Sequence, residues 1–226
     1  MKSVAVAAKK GRCTIPVEMS AVRCVRESDD GAGSRIAFQK CSQYRTFTLP
    51  HEIHDVALYN QQLIYDLLFK TAAKTLIELS KKYYDAVPVI IAVLHTWGQN
   101  LCLHPHVHIL VSSGGLAADG SWHYGQDNYL FDVFEMSAIF KKKFLKGLES
   151  LQKRGLLRKC ADFNSLYKQM EDKEWVVNCK KPFAGAEKVL EYLSRYVYRS
   201  AIANSRLRGI EKSGVTFDYK DYRDED

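Results

Sequence analysis

At 226 residues, with 46% hydrophobic and 12% aromatic side chains, the chain can bury a core of its own, which excludes a disordered or low-complexity protein. Its formal charge of +7 favours a polyanionic partner, because lysine and arginine contacts to phosphate dominate affinity for nucleic acid. The six cysteines, Cys13, Cys24, Cys41, Cys102, Cys160 and Cys179, contain no close pair, which excludes a zinc knuckle, a Cys-x-x-Cys redox motif and a secreted disulfide framework.

Residues 1–42 carry no clear period and include the loop-like stretch Glu27 to Ser34, so they are read as poorly ordered or locally wrapped. In Tyr44 to Pro50, Phe47 and Leu49 alternate with hydroxyl residues, which predicts a strand ended by the proline. A long helix is expected from Asp55 to Lys82, with Tyr59, Leu63, Leu67, Leu76 and Leu79 on its apolar side. Val87 to Trp97 is rich in β-branched residues and reads as a buried strand. After a turn at Gly98 to Asn100, Pro105 to Ser112 reads as its hairpin partner. Ser113 to Asn128 is a Gly/Ser/Asp loop with a turn at Asp119-Gly120.

Helical spacing resumes from Met136 to Arg154, and a shorter helix is expected from Asp162 to Met170. Trp175 to Asn178 reads as a short strand, Ala186 to Arg199 as a helix, and Val215 to Tyr219 as a final strand. The sum is an α+β fold, with a mostly antiparallel central sheet and helices packed against it. No apolar run reaches membrane length, since the longest, Val87 to Leu94, is broken by Pro88; the first residues lack the apolar stretch of a signal peptide, and a cytoplasmic protein is expected.

Four of the seven histidines, His95, His104, His106 and His108, fall in the predicted hairpin. Side chains alternate across a strand, so His106 and His108 share a face and present two neighbouring imidazoles, as a metal needs. A turn centred on Gln99 to Leu101 brings His95 opposite that pair. Pro105 cannot donate to the ladder, so His104 is assigned to the turn rather than to the site. The His-Val-His pair alone assigns nothing, because such pairs arise readily by chance. The third histidine at hairpin register is what favours a metal site.

Downstream, Tyr192 and Tyr196 lie four apart and share one face of the predicted helix, with Arg195 and Arg199 on a neighbouring face where they can contact phosphates. Packing of the tyrosines on the sheet stays open, since the chain has 13 tyrosines. A phenol with a pKa near ~10 is a weak nucleophile toward an anionic phosphodiester. A metal beside the phosphate removes that difficulty, which ties the two patterns together.

The run His95 to His108 resembles the metal-binding motif of the rolling-circle transposases of the His-hydrophobic-His (HUH) endonuclease superfamily. Val189 to Tyr196, with Arg199 to Leu207 after it, is similar to their two-tyrosine motif. Thr46 to Pro50, Trp175 to Val177 and Tyr219 to Arg223 resemble further landmarks in the expected order. The resemblance implies a domain over residues 43–226 that cleaves and rejoins single-stranded DNA through a 5′-phosphotyrosine. It implies Tyr192 and Tyr196 as nucleophiles, His95, His106 and His108 as ligands of Mg²⁺ or Mn²⁺, and Arg195, Arg199, Lys180 and Arg206 as DNA contacts. Nitrogen ligands suit Mn²⁺ or Zn²⁺ better than Mg²⁺. The family's cysteine-rich zinc module is absent, with Cys41 as its remnant in residues 1–42, Lys181 and Tyr198 depart from the family's usual residues, and a copy shortened at both ends is expected. A catalytically inactive DNA-binding remnant, or a metal-dependent hydrolase using a bound water, stays open beside the transposase reading.

Overall fold

Segments that alternate apolar and hydroxyl side chains, or that run rich in β-branched residues, fit a sheet with helices on one face. The computed structural model describes residues 2–7, 22–25, 42–98, 100–125, 131–183, 204–211 and 214–219. Its strands are β1 (Lys2–Ala7), β2 (Val22–Val25), β3 (Ser42–Thr48), β4 (Ile90–Trp97), β5 (Leu103–Ser112), β6 (Gly114–Leu116), β7 (Trp122–Tyr124), β8 (Val177–Phe183), β9 (Leu207–Glu211) and β10 (Gly214–Tyr219). The helices are α1 (His54–Tyr59), α2 (Gln61–Tyr84), α3 (Val133–Lys153) and α4 (Phe163–Asp172).

The central sheet has the order β2-β4-β5-β3-β8, and every neighbouring pair is antiparallel. A second antiparallel sheet has the order β1-β10-β9, and β6 with β7 forms a small hairpin. The α+β class with the His-Val-His hairpin at the centre of the main sheet is therefore as the pattern predicts. β1 and β2 fall inside residues 1–42, where the sequence reading places no strand.

One face of the central sheet carries Ile90, Ala92 and Leu94 of β4, Val107, Ile109 and Val111 of β5, Phe47 of β3 and Val177 of β8. These pack in one buried cluster with Ile64, Leu68, Leu76 and Leu79 of α2 and Met136, Phe140 and Phe144 of α3. Phe140 is its aromatic centre, edge-on to Phe47 at 4.9 Å and to Trp175 at 5.3 Å between centroids. Since successive side chains alternate, the opposite face presents Tyr44, Thr46, Val93, His95, His106 and His108.

Local chemistry moved several boundaries. The helix expected from Asp55 to Lys82 is two helices, because Asn60 leaves helical geometry (φ −133, ψ 36) and uses its side chain elsewhere. Its Nδ2 donates to the carbonyls of Val56 and Arg158, both at 2.8 Å, and its Oδ1 accepts from the Arg158 amide at 2.8 Å. The stretch read as a loop after Ser113 contains the β6–β7 hairpin, tied to β4's lead-in by Val87–Leu116 amide–carbonyl bonds of 2.9 and 2.8 Å. The strand expected to start at Trp175 starts at Val177, because the Trp175 ring turns into the core and donates through Nε1 to the Met170 carbonyl at 2.9 Å.

β5 begins before the expected Pro105, at Leu103, so His104 lies within the strand and not in the turn. Between the pairs His95↔His106 and Trp97↔Leu103, one β4 residue, Thr96, faces two β5 residues, His104 and Pro105. That is a bulge, a place where a strand tolerates proline because the ladder is already interrupted.

Candidate metal centre

The register that brings His95 directly opposite His106 is set by the tight turn between β4 and β5. There Gly98 donates to the Cys102 carbonyl at 2.9 Å and Leu101 adopts a left-handed φ of 62. His108 follows two residues along on the same face. The ring centroids of His95 and His106 lie 5.4 Å apart, those of His95 and His108 4.4 Å, and those of His106 and His108 4.7 Å. One ligand nitrogen from each residue lies within 4.8 Å of the others.

Two nitrogens bound to one ion can stand no further apart than about twice a metal–imidazole bond, roughly 4.2 Å. Ring rotations of a few tenths of an ångström therefore bring all three into one coordination sphere. A donor set of three imidazoles, which ligate in their neutral form, fits a divalent transition ion. His104 does not join them: its carbonyl, rather than its ring, serves the site. His106 Nδ1–H donates to the His104 carbonyl at 2.6 Å, which fixes the tautomer and leaves Nε2 as the ligating nitrogen. Burial pushes the His106 imidazolium down to about 3, so the ring is neutral and competent as a ligand across the neutral range.

His108 is held from its other side. Its Nε2 lies 3.0 Å from His95 Nδ1, while its Nδ1 meets the Tyr44 hydroxyl, with Thr46 Oγ1 at 3.3 Å. Tyr44 and Thr46 reach it because β3 pairs with β5 in a register that sets Thr46 against His108. Trp97 stacks on the His95 ring, with centroids 5.5 Å apart and planes 12° from parallel. Tyr44, Thr46 and Trp97 are residues that the sequence reading did not assign to the site. The hydroxyl residues at alternate positions before Pro50 were the available signal, but their partner strand lies about sixty residues on.

The remaining predicted residues are distributed otherwise. Tyr192, Tyr196, Arg195 and Arg199 lie outside the described residues. Lys180 sits in β8, paired in register with Tyr44. Arg206 ends a 3-10 turn, Asn204–Arg206, that leads into β9; its Nε donates to the Asp218 carbonyl at 2.6 Å and its guanidinium lies over the Phe217 ring. A cavity of about 720 Å³ lined by Tyr83, Tyr84, Trp122, His123 and Tyr124 lies at the β6–β7 hairpin, does not include His95, His106 or His108, and is a separate feature. Among the described residues no helix is long and apolar enough to cross a membrane.

A family model described as "Putative transposase" (Y2_Tnp) matches residues 90–226. The chain is 41% identical over 189 residues to "Putative transposase y4qJ" of Sinorhizobium fredii, a match covering 78% of this chain and 48% of that protein. It is 30% identical over 190 residues to the "Transposase for insertion sequence element IS801" of Pseudomonas savastanoi pv. phaseolicola, covering 80% of this chain and 45% of that one. The chain thus spans about half the length of the curated relatives it matches. Among solved structures, TrwC complexed with a 27-mer DNA gives a TM-score of 0.41 at 17% identity, over 49% of this chain and 45% of that chain. The metal-bound conjugative relaxase TrwC in complex with OriT DNA gives 0.41 at 12% identity, over 70% and 71%.

Proposed function

From a chain that belongs to the Y2_Tnp transposase family, a membership carried by residues 90–226, we propose a nuclease that cleaves and rejoins single-stranded DNA during DNA transposition. The observation that supports this reading is the convergence of His95, His106 and His108 within 4.8 Å on the face of the sheet opposite α2 and α3. Mg²⁺ or Mn²⁺ is the proposed ion, and when bound it supplies charge neutralisation at the scissile phosphate. The three imidazoles hold it, and the tautomer of His106 is set by the His104 carbonyl.

The phenol oxygen of Tyr192 or Tyr196 attacks phosphorus in line. The new bond joins that oxygen to phosphorus, the bond to the 3′ oxygen breaks, and the departing strand carries a 3′-hydroxyl with the proton given up by the phenol. Two tyrosines permit a second cleavage before the first covalent end is released. Arg195, Arg199, Lys180 and Arg206 are proposed as phosphate contacts. A DNA substrate is in keeping with a cytoplasmic protein.

Incubation with a labelled single-stranded oligonucleotide and Mn²⁺, followed by a denaturing gel, tests the reading. A covalent adduct that is lost on Tyr192→Phe or Tyr196→Phe is the expected result. Metal-dependent cleavage that survives both substitutions would sink it in favour of attack by a bound water. Binding with no adduct would make the chain a DNA-binding remnant.

A further inference from the structure

We infer that Tyr44 positions His108 for the metal, and that it does so by exchanging donor and acceptor roles as the site loads. The inference rests on the reading that His95, His106 and His108 hold an ion. Tyr44 is only 2% exposed and Thr46 8%, so the phenol hydrogen must find its partner within the protein rather than in water. Among the described residues two such partners are in reach. One is His108 Nδ1, against which the Tyr44 ring also stacks at 5.6 Å; the other is Thr46 Oγ1, at 2.8 Å from the phenol oxygen.

Each choice fixes a different tautomer. If the phenol donates to Nδ1, the single imidazole proton sits on Nε2, and Nε2–H is aimed at His95 Nδ1, 3.0 Å away. The chain Tyr44 to His108 to His95 is then fully hydrogen-bonded, and one proton occupies both nitrogens that would otherwise ligate. If the phenol turns its hydrogen to Thr46, its oxygen accepts from Nδ1–H instead. The imidazole stays neutral with its one proton moved from Nε2 to Nδ1. The lone pairs of His108 Nε2 and His95 Nδ1 now face the same point. A carboxylate in this place could only accept, and would hold the second arrangement permanently. A phenol with a hydroxyl neighbour can do either, so Tyr44 closes the metal-free site and opens it without a change of charge.

Mn²⁺ binding to the metal-free protein by calorimetry, with the His108 tautomer read by ¹⁵N NMR before and after Zn²⁺, tests this directly. Tyr44→Phe keeps the ring and removes the acceptor for Nδ1–H, and a loss of 10- to 100-fold in Mn²⁺ affinity is expected, with Thr46→Val losing less. The wild-type His108 should pass from the Nε2–H to the Nδ1–H form when Zn²⁺ binds. The inference is overturned if Tyr44→Phe binds Mn²⁺ within twofold of the wild type, or if metal-free His108 is already in the Nδ1–H form. The tautomer of the wild type decides the matter even if a variant fails to fold. His106→Ala separates the two readings: if the wild type and this variant bind Mn²⁺ alike, the histidine site itself is refuted. If His106→Ala alone loses binding, the site stands and the role of Tyr44 falls.

Discussion

His106 meets two requirements of a ligand at once: its Nδ1 is committed to the His104 carbonyl, and its burial keeps the ring neutral. His54, next to it in space through His104, shows the same physics outside the site. Burial lowers its pKa first, and the neighbouring His104 and His51 lower it further, against Glu52 and Asp55, which raise it. A histidine held down in the folded state binds its proton more readily when unfolded. Its contribution to stability is therefore complete above the ordinary value of ~6.5 and is lost as pH falls below it. The melting temperature of the metal-free protein, followed by circular dichroism between neutral pH and about pH 5, is expected to drop toward acid. His54→Gln should make that slope shallower, while His106 maintains part of it. At this scale the sequence brought His95, His106 and His108 to one place, as the structure does, because period-two alternation and hairpin register are local rules. Tyr44 was not legible as a site residue, because its contact with His108 spans sixty-four positions.

At the scale of elements, the informative places are where a local pattern is interrupted by a distant partner. Nothing in the apolar spacing of residues 55–82 signals a break, and the break is made by Asn60 bonding Arg158 ninety-eight positions away. Asn60→Ala leaves the Arg158 amide and carbonyl without these partners. It is expected to cost about 1–3 kcal/mol in urea unfolding, with no change in Mn²⁺ affinity. The β6–β7 hairpin is set by backbone proximity in the same way. A Cβ added at Gly115 would stand 2.5 Å from the Val87 carbonyl oxygen, so Gly115→Ala must push β6 from Val87. A loss of about 1–3 kcal/mol is expected from that overpacking, measured by the same unfolding curve. The bulge at His104 and Pro105 belongs here too. Proline marked an irregularity in the sequence, but only the opposing strand shows that it is a bulge within β5 rather than the end of a turn.

For the molecule as a whole, the helix-packed face supplies the core and the opposite face carries the candidate metal centre. Phe140→Ala, at the centre of the packed face, is expected to cost about 3–5 kcal/mol. Ligands on β4 and β5 would tie an ion to two neighbouring strands of the central sheet. Mn²⁺ at a hundred times its dissociation constant should therefore stabilise the fold by about 2.7 kcal/mol, seen as a rise in melting temperature that EDTA reverses and that His106→Ala lacks. A melting temperature indifferent to Mn²⁺ would count against the site. What the sequence determined by itself was the α+β class, the central hairpin, the clustering of His95, His106 and His108, and the family. All of these follow from periodicity, short-range register and motif order, which act over a few residues. The tertiary structure alone decided that the three histidines lie on the face opposite α2 and α3 beside Tyr44 and Thr46, that His104 contributes through its carbonyl, and that the long helix breaks at Asn60. Each of those depends on which distant strand or loop packs alongside, and a single chain's local pattern carries no record of its neighbours across the sheet.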